Sequence, residues 1–518
     1  MHSADQHSVQ GRRNHSEGGP IQAEKMNRPF FRSLITAAAL PALLLLMAGA
    51  ALAQTASVLH SFSDTPDGAT PYSGVTFHGG NLFGTTFKGG LYGSGSVYEL
   101  TPNGVGGWSE TTLYSFCPAA PSCTDGIGPS FANVVFDAQG NLYGTTNLGG
   151  AQGFGVVFEL SPSAGTWTET VLYSFAGQPD AANPVNGLLI DQAGNLYGTA
   201  YNGGVVNKGS VFELSPTGAG TWTERVIASV NSMYGGLATD AAGNIFGTTY
   251  TTVFELSPNG TGDFTRNTIF TFDPAKAATQ GYEPNGTLAL DSKGQIFGTT
   301  VAGGTNNVGV VFRLIKGSTG TYTEKLIYNF GANGNKPFAG VVLDSSGNLY
   351  GTTQAGGKNG AGVVYALDFN SSTGSYTEKG LQAFIGINGA APYAGLILDS
   401  QNYLYGTTPF GGANGKGTVI EVNPHANRTS ITLASSMNPS MLGQAVTFTA
   451  TVTSSAGPPP DGEIVVFQPI GQAAMTGGVA TYTTSRLAVG TTNIHALYNG
   501  DLNFTLIKSA ALPQAVNQ

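Results

Sequence analysis

Histidine, cysteine and paired carboxylates are the side chains through which this chain could do chemistry, and they are few and scattered. Seven His occur in 518 residues, and His2, His7 and His15 fall in the first 25. His60, His78, His425 and His495 remain, spread over an N-terminal strand, a first repeat, a linker and a C-terminal domain. A transition-metal centre needs several such ligands converging on one point, so no metal or cofactor site is expected. His60 and His78 are the one pair that chain closure could bring near each other, and ordinary strand packing is the expected role of each. Glycoside cleavage needs two acids flanking one bond. Here Asp137, Asp191, Asp240, Asp291, Asp344 and Asp399 stand singly, each in the same turn, with Ala, Gln, Ser or Lys beside them instead of further oxygen ligands. Glu99, Glu159, Glu213 and Glu255 recur at one strand position, a symmetry that implies a shared structural task. No catalytic residue is expected. Cys117 and Cys123 bracket the short loop CPAAPSC, and pairing them would staple it locally. A redox pair is normally spaced C-x-x-C at a strand-to-helix junction.

Those acids must be positioned by something that repeats. GNLFGTT at 80–86 returns as GNLYGTT at 140–146, GNLYGTA at 194–200, GNIFGTT at 243–249, GQIFGTT at 294–300, GNLYGTT at 347–353 and NYLYGTT at 402–408. A fixed period of about fifty residues is the signature of repeat architectures. Within the third copy, GLLID (187–191), NLYGTA, SVFELSP (210–216) and WTERVIASV (222–230) are short, rich in β-branched and aromatic residues, and separated by turn residues. That is a four-strand pattern. Four strands in each of seven units predict an all-β, seven-bladed β-propeller over residues 54–424. The Asp-x-x-Gly-Asn turn is read as hairpin chemistry, with the carboxylate accepting backbone N–H groups. The Gly of each Gly-Thr-Thr is read as admitting a neighbouring backbone, and the Tyr or Phe before it as filling the gap between blades. The string SVLHSF at 57–62 matches the fourth strand of other copies, whereas the seventh copy stops after TVIEV at 418–422. The N-terminal strand is therefore expected to close the last blade, removing two exposed edges.

Asp-x-x-Gly-Asn-Leu-Tyr-Gly-Thr-Thr, the following Gly-Gly loop and Val-Phe-Glu-Leu together resemble a bacterial repeat family of exported β-propellers. The resemblance covers all seven copies and implies a fold and an exported location, but no reaction. The fourth copy departs from it, because YTT replaces the Gly-Gly loop before VFEL. Period and doublets also resemble kelch propellers in architecture, some of which carry copper oxidases; the histidines for a copper site are lacking.

Met26 opens a secretion pattern over 26–53, with Arg28 and Arg32, an apolar run from Leu34 to Ala50, and cleavage expected after Ala53. Retention of that run as an anchor is the alternative; otherwise no span is expected in the mature chain. Residues 1–25 read as an extension. After a linker at 425–429, residues 430–518 predict a small Ig-like β-sandwich with six or seven strands and an alternating face of Val446, Phe448, Ala450 and Val452. MNPSMLGQAVTFTATV and ALYNGDLNF resemble bacterial Ig-like domains of exported proteins.

Only 10% of residues are charged, the net charge is −9, and Gly numbers 76. Nothing here neutralises phosphates, so nucleic acid is excluded as a partner. The expected function is a secreted or cell-surface, non-catalytic binding or scaffold protein, monomeric, whose propeller recognises a protein or glycan while the Ig-like domain serves as spacer or attachment module. The alternative is an extracellular polysaccharide-active hydrolase or lyase. Gly-Gly loops at 87–95, 147–155, 201–209, 301–309, 354–362 and 409–417 should share a face with the loops joining blades, which repeat Asp/Asn-Gly-x-x-Pro at Asp67, Asp125, Asn333 and Asn388. Tyr92, Phe154, Tyr201 and Phe410 in the Gly-Gly loops are the candidate ligand contacts.

Overall fold

Seven four-stranded antiparallel sheets follow one another along the chain and form the blades of a propeller. The structure, a computed structural model, describes residues 56–518 apart from 105–106, 130, 132, 219, 232–234, 428, 455 and 502. The secretion signal and the extension before it lie outside the described residues. Blade 3 is representative, with strands Ala181–Ile190, Leu196–Gly203, Ser210–Gly218 and Thr221–Ser229 in that order. The N-terminal strand Ala56–Ser61 supplies the fourth strand of blade 7 by pairing antiparallel with Thr418–Val422. Its register carries the bulge that interrupts the third and fourth strands of every other blade, so it copies a native outer strand and its twist.

The apolar core is divided into seven clusters, each shared by two adjacent blades. Their construction explains the repeat. The Phe that ends a fourth strand meets, edge to face, the ring at the centre of the next blade's third strand: Phe62 with Tyr98, Phe116 with Phe158, Phe175 with Phe212, Phe272 with Phe312 and Phe330 with Tyr365, at centroid separations of 5.0–5.1 Å. That ring in turn lies over the Gly of Gly-Thr-Thr. A Cβ on Gly144 would meet Phe158 Cζ at 2.5 Å. The close neighbour of this Gly is thus an aromatic side chain of its own blade, not the backbone that the sequence suggested. Gly144→Ala is expected to displace the ring and destabilise by about 1–3 kcal/mol, read as a fall in melting temperature. Gly380→Ala, where nothing lies within 4 Å, should leave it unchanged.

The two threonines are also explained. In blades 5, 6 and 7 the first reaches across to the next blade, Thr299 Oγ1 to Ala339 O (2.9 Å), Thr352 to Ala394 O (3.2 Å) and Thr407 to Ser73 O (2.6 Å), whereas Thr199 bonds to Val185 O of its own blade. The second turns the chain into the Gly-rich loop by donating to the carbonyl two residues on, as in Thr146 to Leu148 (2.9 Å). The turn Asp does hairpin work and more: Asp137 accepts from Gln139 N and Asn141 N (both 2.9 Å), Asn141 Nδ2 (2.8 Å) and Tyr143 OH (2.9 Å). Burial would raise this carboxyl, but those donors outweigh it and hold its pKa below the ordinary value. Tyr143, anchored this way, packs into the next blade's cluster beside Leu188 and Phe212.

The C-terminal region forms nine strands from Thr429 to Asn517, two more than the upper expectation because Ser440–Met441 and Ile507–Lys508 are two-residue strands. Val446, Phe448, Ala450 and Val452 are fully buried in one core with Phe467, Ile494 and Tyr498, so alternation correctly marked the inward face. Among the described residues helix is confined to one short turn of Pro274–Lys276 and Ala277–Gln280, and none is long and apolar enough to cross a membrane.

Candidate functional site

The loop face is built by interlocking backbones. Outside blade 4, each joining loop pairs with the Gly-rich loop of its own blade, as Ala69 with Lys88 and Ala390 with Phe410. It also donates to the Gly-rich loop of the blade before: Thr70 N to Lys416 O, Gly128 N to Ser94 O and Asn183 N to Phe154 O at 2.8 Å, and Lys336 N to Val308 O at 2.9 Å. The donor residue has positive φ (Thr70 52°, Asn183 55°, Lys336 56°), which turns the following Pro onto the preceding blade. Pro129 Cδ lies 2.8 Å from where a Cβ would stand on Gly95. The Gly-x-x-Pro signature is therefore a seam between blades.

In blades 1, 6 and 7 the residue directly after that Pro is aromatic, in blade 2 the second residue after it is, and these rings line the axial cavity. Tyr72 and Tyr393 (centroids 5.5 Å apart), Phe131 (5.2 Å from Tyr72) and Phe338 (5.2 Å from Tyr393) form a half-buried crescent from blades 1, 2, 6 and 7. Burial and the neighbouring Tyr393 raise the Tyr72 phenol, and Gln354 Nε2 contacts Tyr393 OH. Facing the crescent, Asn147, Asn183 and Asn202 are tied to one another and to Pro184 O by amide hydrogen bonds of 3.0–3.2 Å. Between them an axial cavity of about 1210 Å³ descends along the first strands. Its throat is bare because those strands approach too closely for side chains: a Cβ on Gly340 would meet Thr287 O at 1.8 Å. Every described residue lining the cavity is aromatic, aliphatic, Gly, Thr or Asn, with no ionisable carboxylate, imidazole or amine. The arrangement can stack rings and exchange hydrogen bonds.

The four aromatics singled out from the sequence are distributed unevenly about this cavity. Tyr201 lines it, and Phe410 packs against Tyr72 at 6.1 Å. Phe154 lies against Gly177 on the loop surface, and Tyr92 is half exposed beyond the cavity lining. The crescent itself was missed, although its signal was present: Tyr72, Phe338 and Tyr393 each follow the Pro of the joining loop. His60 and His78 go to different partners. His60 Nε2 lies 2.9 Å from Asp67 Oδ2, whereas His78 stacks on Phe136 at 4.0 Å. Cys117 and Cys123 are joined, six residues apart. No group of three metal-ligating side chains occurs among the described residues.

Fold and cavity together define a seven-bladed propeller with a ligand-sized axial recess, followed by an Ig-like domain. The chain belongs to the Gloeobacter/Verrucomicrobia repeat family, whose model matches residues 109–273 and 250–453. Residues 432–517 match the bacterial Ig-like domain (group 3). No curated protein matches the chain. Similar solved structures include the extracellular domain of a proposed hybrid two component system from B. thetaiotaomicron (12% identity, TM-score 0.45, covering 90% of this chain and 58% of that one). Virginiamycin B lyase from Staphylococcus aureus (13%, 0.46, covering 71% and 99%) and a gluconolactonase from Xanthomonas campestris (14%, 0.33, covering 73% and 98%) are others. This chain spans 58% of the first of these structures.

Proposed function

We propose that the protein is a secreted or cell-surface, non-catalytic binding protein whose loop face takes a glycan, with the Ig-like domain as spacer or attachment module. The observation that carries this reading is the uncharged axial cavity bounded by the Tyr72, Phe131, Phe338 and Tyr393 crescent and an opposing amide wall. Flat apolar rings opposite polar amides suit sugar rings, which have apolar faces and hydroxyl edges. Export is supported by the signal pattern at 26–53 and by the joined Cys117 and Cys123.

A glycan array on purified 54–518, with product analysis on every polysaccharide retained, tests the reading. Tyr72→Ala and Tyr393→Ala are each expected to weaken the bound glycan about tenfold, in line with about 1–3 kcal/mol per stacked ring, with the melting temperature held within a few degrees. Retained affinity in both variants, or steady product release, would overturn it.

A further inference from the structure

Blade 4 interrupts the loop face. Its second and third strands, Ile245–Thr248 and Thr252–Pro258, are joined by a tight turn closed by Thr249 N to Thr252 O at 2.8 Å, where other blades carry a nine-residue Gly-rich loop. The missing loop leaves a notch of about 790 Å³. Lys208, from the loop of blade 3, and Arg266, from the fourth strand of blade 4, line it. Arg266 is held in place by its ring contact with Phe254 (5.5 Å) and by its bond to Ser229 O (3.3 Å). Neither cation is ion-paired among the described residues. In a chain with 30 acidic and 21 basic residues, two unneutralised cations in one recess run against the overall charge.

Two half-exposed rings, Tyr201 and Tyr250, share the notch with these cations. Tyr250 OH donates to Glu283 Oε1, and Glu283 itself does not line the notch. Tyr201 and Asn202 line both the notch and the axial cavity, which makes the two recesses neighbours across a common wall. A ligand crossing that wall passes from an uncharged aromatic site to a cationic one.

We propose that the notch binds the carboxylate of a uronic acid residue, making the ligand of the loop face an acidic polysaccharide. The inference rests on the glycan-binding reading above. A uronic acid carries its carboxylate on the sugar ring, which matches cations sharing a recess with Tyr201 and Tyr250. A guanidinium can take such a group in a bidentate fashion, with Lys208 adding a point charge.

The test titrates the full mature chain with an oligogalacturonate and with its methyl ester, which keeps the sugar and removes the charge. The acid form is expected to bind about tenfold tighter, with the advantage fading as salt rises. Arg266→Ala combined with Lys208→Ala should abolish that advantage and leave methyl-ester binding unchanged, while Arg266→Lys, which keeps the charge, should retain part of it. An advantage that survives the double variant, or an acid form bound no better than its ester, overturns the notch. Loss of ester binding in Tyr393→Ala then shows that the axial site stands without it. Failure of the protein to bind either oligomer overturns the notch proposal, while the glycan-binding reading stands or falls on the array.

Discussion

Removal of residues 56–63 is expected to lower the melting temperature of the mature chain by about 10 °C or more. The strand it deletes is the sole outer partner of Thr418–Val422, and without it blade 7 has three strands and an open edge beside blade 1. Phe62, which follows the strand, is fully buried among Val75, Leu82, Tyr98 and Val419, and its N–H donates to Gly417 O at 3.0 Å. Beyond it, Asp64 pairs with Lys416 Nζ at 2.6 Å, tying the N-terminal segment to the Gly-rich loop of blade 7. Phe62→Ala isolates the packing part and should cost about 3–5 kcal/mol, or roughly 5 °C for a domain of this size. Calorimetry on both variants checks this. Melting temperatures matching the parent would mean that the ring is closed by other contacts.

The second large effect is a loss of stability on going from pH 5.5 to pH 8.5. Glu169, Glu224 and Glu324 occupy one position in the fourth strands of blades 2, 3 and 5, each with one carboxyl oxygen buried and unpartnered. Burial pushes Glu169 and Glu324 up to about 7, with Asp125 adding to the first. Burial and the neighbouring Asp180 push Glu224 up to about 8. A carboxyl whose folded pKa lies above its unfolded value of 4.5 keeps a proton in the native state that the unfolded chain has lost. Its contribution to stability is therefore complete below about pH 4.5 and disappears as the pH rises through 7–8. Asp67 and Asp137 act in the opposite sense. Burial would raise them, but hydrogen bonds from His60 and Ser63, and from Asn141, Tyr143 and Gln139, hold them low, so their contribution is present above about pH 4 and is lost below it. The optimum accordingly falls between about pH 4 and 5. Partial exposure screens each glutamate to about 1–2 kcal/mol, a combined fall of roughly 5 °C. Glu224→Gln should raise the melting temperature clearly more at pH 8.5 than at pH 5.5. A shift of equal size at both pH values would show that the carboxyl is not responsible.

These glutamates mark the boundary of what can be read along the chain. Within one strand Glu224 is one polar residue among alternating neighbours; the preceding blade, which brings Tyr173 near it, and the Asp180 loop are what remove water from it. The same holds for the Asp137 turn, whose hairpin role was legible locally, whereas its bond to Tyr143 OH and that ring's place in the next blade were not. Gly144 was read as a site of close approach, and the identity of what approaches, the Phe158 ring, depended on strand register.

By itself, the sequence determined the number of blades, their four-strand composition, the strand that closes them and the inward face of the Ig-like core. Each is encoded by local periodicity repeated often enough to be unmistakable. The candidate site was assembled by tertiary structure, with Tyr201 the one cavity-lining ring that the sequence had singled out. Tyr72 and Tyr393 are 321 positions apart in the sequence and Phe131 and Phe338 are 207 apart. Lys208 and Arg266 belong to adjacent blades. Ring closure brings these residues around one axis and one missing loop, because circular stacking places the same point of every repeat at the same radius. A one-dimensional pattern contains no term for that radius, so chemistry assembled from seven separate blades becomes visible only when the ring is complete.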